Sequence, residues 1–124
     1  MMHWLAVAIG GALGALARYA VSIWLFNPSV HKFPYATLAV NLLGSFVMGL
    51  LFVMIVERAA LPAEMRSLLM IGFLGAFTTF STFSLDALSL WQNGHLFLAL
   101  IYVLATVVLC LVAISSSIWL ARSL

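Results

Sequence analysis

Four long apolar runs separated by short polar stretches organise this chain. The first extends from Trp4 to Phe26 and stops at Asn27-Pro28. The second extends from Tyr35 to Val56 and opens after Pro34. The third extends from Met65 to Trp91, introduced by Leu61-Pro62-Ala63-Glu64 and closed by Asn93-Gly94. The fourth extends from Leu96 to Leu120, just ahead of Arg122. A helix that crosses a bilayer needs about 20 mostly apolar residues, so each run predicts a membrane span. Proline before a run and Asn-Gly after one are helix start and stop signals. The connections are short, so successive helices are expected to be antiparallel neighbours. The pattern predicts an all-α membrane protein, a single domain of four transmembrane helices over residues 1–124.

The third run breaks the apolar rule. It contains Gly72-Phe-Leu-Gly75-Ala-Phe-Thr-Thr-Phe-Ser-Thr-Phe-Ser84, and five of the last seven of these residues carry a hydroxyl. A lipid-facing helix has no use for such a row. Polar groups clustered at membrane depth mark helix contacts, a water-filled path or a ligand site. Gly72 and Gly75 weaken the helix, and Ser and Thr compete for backbone hydrogen bonds. A break is therefore expected near the middle of the third helix, between Gly75 and Ser81. Carbonyls freed there can hold a cation, as in other discontinuous membrane helices. Phe77, Phe80 and Phe83 recur every third residue through the segment. Phe80 and Phe83 share a helix face, and their electropositive ring edges can favour an anion weakly. By spacing alone such a pair reads as packing; the interleaved hydroxyls of Ser81 and Thr82 shift it toward a site.

The other spans carry sparser polarity. Gly10 and Gly14 in the first are four apart, a spacing that lets helix backbones approach closely. Arg18 continues the same face, where it either snorkels to the interface or places positive potential at a pore mouth. Asn41, Ser45 and Gly49 form one stripe on the second span. The Asn41 amide is either an interhelical bond or an uncharged donor that binds an anion without trapping it. Tyr102, Thr106 and Cys110 repeat the spacing on the fourth span, followed by Ser115, Ser116 and Ser117. Asp86 is the one acid placed within a span, either a proton-carrier site or a solvated group near the helix end.

Composition supports the membrane reading. The chain is 66% hydrophobic and 6% charged, against about 25% charged in soluble domains. Its five basic residues are spread along the sequence and form no patch for nucleic acid. A single cysteine, Cys110, excludes an intramolecular disulfide, and no zinc set is present. The histidines at 3, 31 and 95 lie at span ends or in loops, the wrong places for haem. The first apolar run starts almost at once and is too long for a signal peptide, so it is expected to be retained. Arg58, Arg66 and Arg122 fall on one side of the bundle, Lys32 and Arg18 toward the other. Charge alone favours an ordinary protein with its termini in the cytoplasm, but the bias is weak enough to permit insertion both ways up. Four helices enclose little, which points to oligomerisation.

The residues resemble the small bacterial fluoride channels, the Fluc or CrcB family, over essentially the whole chain. Gly11-Ala-Leu-Gly14 with Arg18, Asn41-Leu-Leu-Gly44, and above all Gly72 to Ser84 carry the likeness. The resemblance implies an antiparallel, dual-topology homodimer in the bacterial inner membrane, with two pores for passive, selective fluoride export. It implies that Phe80 and Phe83 present ring edges to the ion, that Asn41 is a pore donor, and that Tyr102 and Thr106 form a polar track, with Ser81 and Thr82 adding hydroxyls. It implies a structural sodium ion at the dimer centre on the backbone carbonyls of Gly75 and Thr78. Two departures stand out. Cys110 occupies a place on the track where a hydroxyl is expected, and Asp86 a place where Glu is common. Two other readings compete on the residues: a small multidrug-type proton-coupled antiporter using Asp86, which lacks the acid such a protein needs in its first helix, and a non-transporting membrane anchor.

Overall fold

The structure, a computed structural model, describes residues 1–25, 27 and 32–124. Among these residues there are four helices long and apolar enough to cross a membrane: α1 (Met2–Leu25), α2 (Tyr35–Glu57), α3 (Ala63–Gln92) and α4 (Leu96–Ser123). Phe26, the expected end of the first span, lies outside the described residues, as do Pro28 of its stop signal and His31. Elsewhere the ends follow the local chemistry. Pro34 and Pro62 immediately precede α2 and α3. The α3–α4 turn is a Schellman arrangement, in which Gly94 at φ 82° donates to the Trp91 carbonyl and His95 to that of Leu90. Residues Val21–Leu25, Phe52–Glu57 and Arg66–Leu74 widen into π-type turns; Gly75, for instance, donates to the carbonyl of Met70.

The bundle turns its apolar mass outward. Leu13, Leu16, Leu104, Leu111 and Val112 are all more than half exposed, as the lipid side of a membrane protein requires. Trp4, Trp24, Trp91 and Trp119 are exposed near the helix ends, where amphipathic rings suit the membrane–water boundary. Within the chain, 33% of the apolar window of α2 is buried against 11% for α1, so α2 is the central helix.

Small residues set the two tightest packings. A Cβ on Gly10 would sit 2.1 Å from the Leu68 carbonyl oxygen, and one on Gly14 2.1 Å from that of Phe73, so α1 lies backbone to backbone on the start of α3. On the other side of α2, a Cβ on Gly49 would meet Ser117 Oγ at 1.9 Å. The end of the bundle that holds the termini is tied by polar contacts. Arg58 donates to the Ala121 carbonyl at 2.7 Å, Arg122 pairs with Glu57, and His3 Nδ1 lies 2.9 Å from Ser67 Oγ.

Candidate functional site

The site is built on an interruption of α3. Residues Gly75–Phe77 are helical, and helix resumes over Phe80–Gln92. Between them Thr78 (φ −84°, ψ 160°) and Thr79 (φ −155°, ψ 125°) are extended. Gly75 itself keeps helical angles, so glycine is not where the helix gives way. Thr78 sends both its N–H and its hydroxyl to the Leu74 carbonyl, at 3.0 and 2.8 Å.

The backbone accounting explains how two extended residues survive at membrane depth. Unpaired backbone groups there cost several kcal/mol, on the order of the price in hydrocarbon. In an unbroken helix, Thr79 N–H would bond the Gly75 carbonyl and Thr82 N–H that of Thr78. Here Thr79 N–H goes to Asn41 Oδ1 at 2.8 Å, and Thr82 N–H to Thr79 Oγ1 at 3.2 Å. Asn41 Nδ2 also donates to the Thr79 carbonyl at 3.0 Å. Asn41 thus grips both backbone groups of Thr79, while Thr79 caps the second half of α3. The carbonyls of Gly75 and Thr78 are left without their helical donors.

Gly44, one turn beyond Asn41, makes room for the same segment. A Cβ there would lie 2.2 Å from Thr78 Cγ2. Gly44→Ala is therefore expected to displace Thr78 and destabilise the fold by about 1–3 kcal/mol, the usual range for overpacking; a thermal melt in detergent equal to that of the unaltered protein would contradict it.

A cavity of about 390 Å³ opens beside the interruption. Its walls are Asn41, Gly44, Ser45 and Met48 of α2, Thr78 to Phe80 and Phe83 of α3, and Thr106, Val107, Cys110, Leu111 and Ile114 of α4. The rings of Phe80 and Phe83 are 5.5 Å apart, one 79% exposed and the other 7%. Thr106 Oγ1 is buried and has no hydrogen-bond partner among the described residues. Such a group is costly to leave alone, and its residue is part of the cavity wall. The second half of α3 begins at this depth, so the positive end of its dipole lies beside the cavity.

Arg18 and Thr82 belong to a separate recess of about 230 Å³, with Tyr19, Ser22 and Thr37. Tyr102 is fully buried. Its ring lies 5.2 Å from that of Phe83, and its hydroxyl donates to Asp86 Oδ2 at 3.3 Å. Thr37 donates to the same oxygen at 2.7 Å. Asp86 also lines a polar recess with Lys32, Ser89, Asn93 and His95 at the α3–α4 turn.

Residues 5–118 match the family model described as CrcB-like protein, Camphor Resistance (CrcB). The chain belongs to the CrcB family. A protein of Saccharophagus degradans is 60% identical, over 100% of this chain and 92% of its own length. One of Hahella chejuensis is 55% identical over 97% and 94%, and one of Agrobacterium fabrum 46% identical over 95% and 94%. Each is named fluoride-specific ion channel FluC.

For this CrcB chain the structure divides the expected residues. Asn41, Phe80, Phe83 and Thr106 come together at one cavity, joined by Ser45 and Cys110. Arg18 and Thr82 meet at the second recess, and Tyr102 packs behind Phe83. Ser81 is exposed, with its hydroxyl 3.4 Å from Thr79 Oγ1. Thr79 and Gly44 lie within the motifs that carry the resemblance but had no role assigned to them, although a hydroxyl just ahead of a helical stretch is a cap signal. Thr37 lies outside those motifs; it continues the Asn41, Ser45, Gly49 stripe back by four residues.

Proposed function

We propose that this chain is a fluoride channel that lets the ion cross passively through the cavity beside the α3 interruption. The observation that carries the reading is the set of weak anion donors gathered there, the Asn41 amide and the Phe80–Phe83 rings at the positive end of a half-helix, with Thr106 in the same wall. The names of the relatives supply the ion. Fluoride holds water strongly, so its dehydration needs several donors at once. Asn41 uses one Nδ2–H on Thr79 and has a second to offer. None of the donors is a full charge, so the ion is met without being trapped. The Arg18 recess fits a role in drawing anions toward the path.

The working unit in this proposal is an antiparallel, dual-topology homodimer in the bacterial inner membrane, with two pores. The exposed Phe80 ring and the open space around Gly75 support a partner at this face, and the near balance of basic residues between the two ends fits insertion both ways up. The freed carbonyls of Gly75 and Thr78 would suit a hard cation such as sodium. Bound there, sodium would supply a fixed positive charge and tie the two interruptions together. Exchange of sodium for a large organic cation is expected to lower flux and loosen the dimer; unchanged dimer and flux in rigorously sodium-free buffer would remove the ion from the proposal.

The deciding experiment is anion efflux from liposomes containing purified protein, with no proton gradient. Fluoride leaves and chloride stays. Fluoride efflux no faster than from protein-free liposomes, from a well-folded sample, would end the reading. Efflux that requires a proton gradient and disappears with Asp86→Asn would identify the antiporter instead.

A further inference from the structure

We infer that Gly49 sets the anion selectivity of the channel. It carries no side chain, so α2 and α4 close on each other there, and that closeness holds the cavity walls at the spacing a small anion needs. The selectivity rests on the channel reading above; the spacing does not. Gly49 lies one helical turn beyond Ser45 of the cavity wall and on the same face. A Cβ at Gly49 would sit 1.9 Å from Ser117 Oγ and 2.7 Å from the Ile114 carbonyl oxygen, whereas real Cβ atoms essentially never come within 3.0 Å of a neighbour. Ser117 is fully buried, and its hydroxyl already donates to the Ile114 carbonyl at 2.9 Å. Ile114 is itself part of the cavity wall. The two helices therefore touch at the edge of the cavity, and a missing side chain permits it.

Ties at both ends of this helix pair decide where an added atom is felt. At one end Asp86 accepts from Thr37 of α2 at 2.7 Å and from Tyr102 of α4 at 3.3 Å. At the other, Arg58 donates to the Ala121 carbonyl at 2.7 Å, and Glu57 pairs with Arg122. The cavity and the Gly49 contact lie between these ties. Close-packed helices transmit strain rather than absorb it, so a methyl at Gly49 forces the pair apart along its middle, at the cavity. There α2 presents Asn41 and Ser45, and α4 closes the space with Cys110, Leu111 and Ile114. A wider gap no longer holds the donors around a small ion at once, and it admits a larger anion. Selectivity in a narrow path follows its diameter and the placement of its donors.

The test pairs two measurements on the full chain in liposomes. The first is the ratio of fluoride to chloride efflux. The second is the rate at which a charged methanethiosulfonate reagent modifies Cys110, the chain's single cysteine and a residue of the cavity wall, followed by intact mass. Gly49→Ala is expected to lower the efflux ratio at least tenfold, with chloride leaving faster than from protein-free liposomes, and to speed Cys110 modification at least threefold. Adding Ser117→Gly to Gly49→Ala should return both toward the unaltered protein. Ser117→Thr, a milder wedge from the α4 side, should give the same two shifts, and it decides the matter if Gly49→Ala does not fold. An unchanged efflux ratio in a variant whose Cys110 reacts faster would overturn the selectivity role. An unchanged Cys110 rate in the folded variants would overturn the spacing. A loss of fluoride flux with the ratio kept would assign Gly49 to folding alone. If the unaltered protein moves no fluoride, the channel reading fails and the selectivity role with it, while the Cys110 rates still judge the spacing.

Discussion

Asn41→Ala is expected to cut fluoride flux by at least tenfold while leaving the four spans in the membrane. The Asn41 amide makes two hydrogen bonds to Thr79, one to its N–H and one to its carbonyl. Interhelical side-chain bonds in membrane proteins average about 0.6 kcal/mol, because the separated helix usually finds other partners. Thr79 has no such partner while it stays extended, so the upper part of the range for buried unsatisfied groups applies, about 1–3 kcal/mol each. The chain can escape that cost by returning Thr79 N–H to the Gly75 carbonyl and closing the helix. Closure would re-aim Phe80 and return the Gly75 carbonyl to a helical hydrogen bond. A shift of about 1.4 kcal/mol toward the closed form is a tenfold change in population, which sets the expected loss. Asn41→Asp separates two roles of the side chain. It can still accept from Thr79 N–H but cannot donate to the Thr79 carbonyl, and it adds a negative charge that repels an anion. Liposome efflux and size-exclusion chromatography of the three proteins form the test. Wild-type flux in Asn41→Ala would mean that the clamp is dispensable.

The apolar runs made the four spans readable because crossing a bilayer imposes length and hydropathy on the sequence itself. Gly10 and Gly14 were readable as a packing face for the same kind of reason: their spacing is local, and the structure sets both against the α3 backbone. The division of labour among the polar residues was not local. Asn41 meets Thr79 across 38 positions and Thr37 meets Asp86 across 49, and no helix periodicity encodes those pairings. The glycines misdirected attention in one respect. Gly75 has the propensity to disrupt a helix, yet it stays helical. The extended residues are Thr78 and Thr79, because there the displaced N–H groups find other acceptors. A lone sequence shows which residues can compete for backbone hydrogen bonds; the tertiary partner decides which of them wins.

Phe80→Ile is expected to reduce fluoride flux at least tenfold with no loss of thermal stability, and the contrast with Phe83→Ile shows why. Phe83 is 7% exposed and packs with Leu90, Ala99 and Tyr102. Its replacement disturbs the ring contact to Tyr102 at 5.2 Å, worth about 0.5–1.5 kcal/mol beyond area burial, so both flux and stability should fall. Phe80 is 79% exposed and supports little of the chain's own core. Isoleucine keeps apolar bulk there and removes only the ring, with its positive edge. If the ring faces the ion, flux falls alone. If it merely packs against lipid or a partner, isoleucine serves nearly as well and flux is unchanged. Efflux rates set beside melting temperatures for the two variants separate these cases. A fall in flux that tracked stability equally in both would assign the pair to packing, whereas a selective loss in Phe80→Ile would place the ring on the fluoride path.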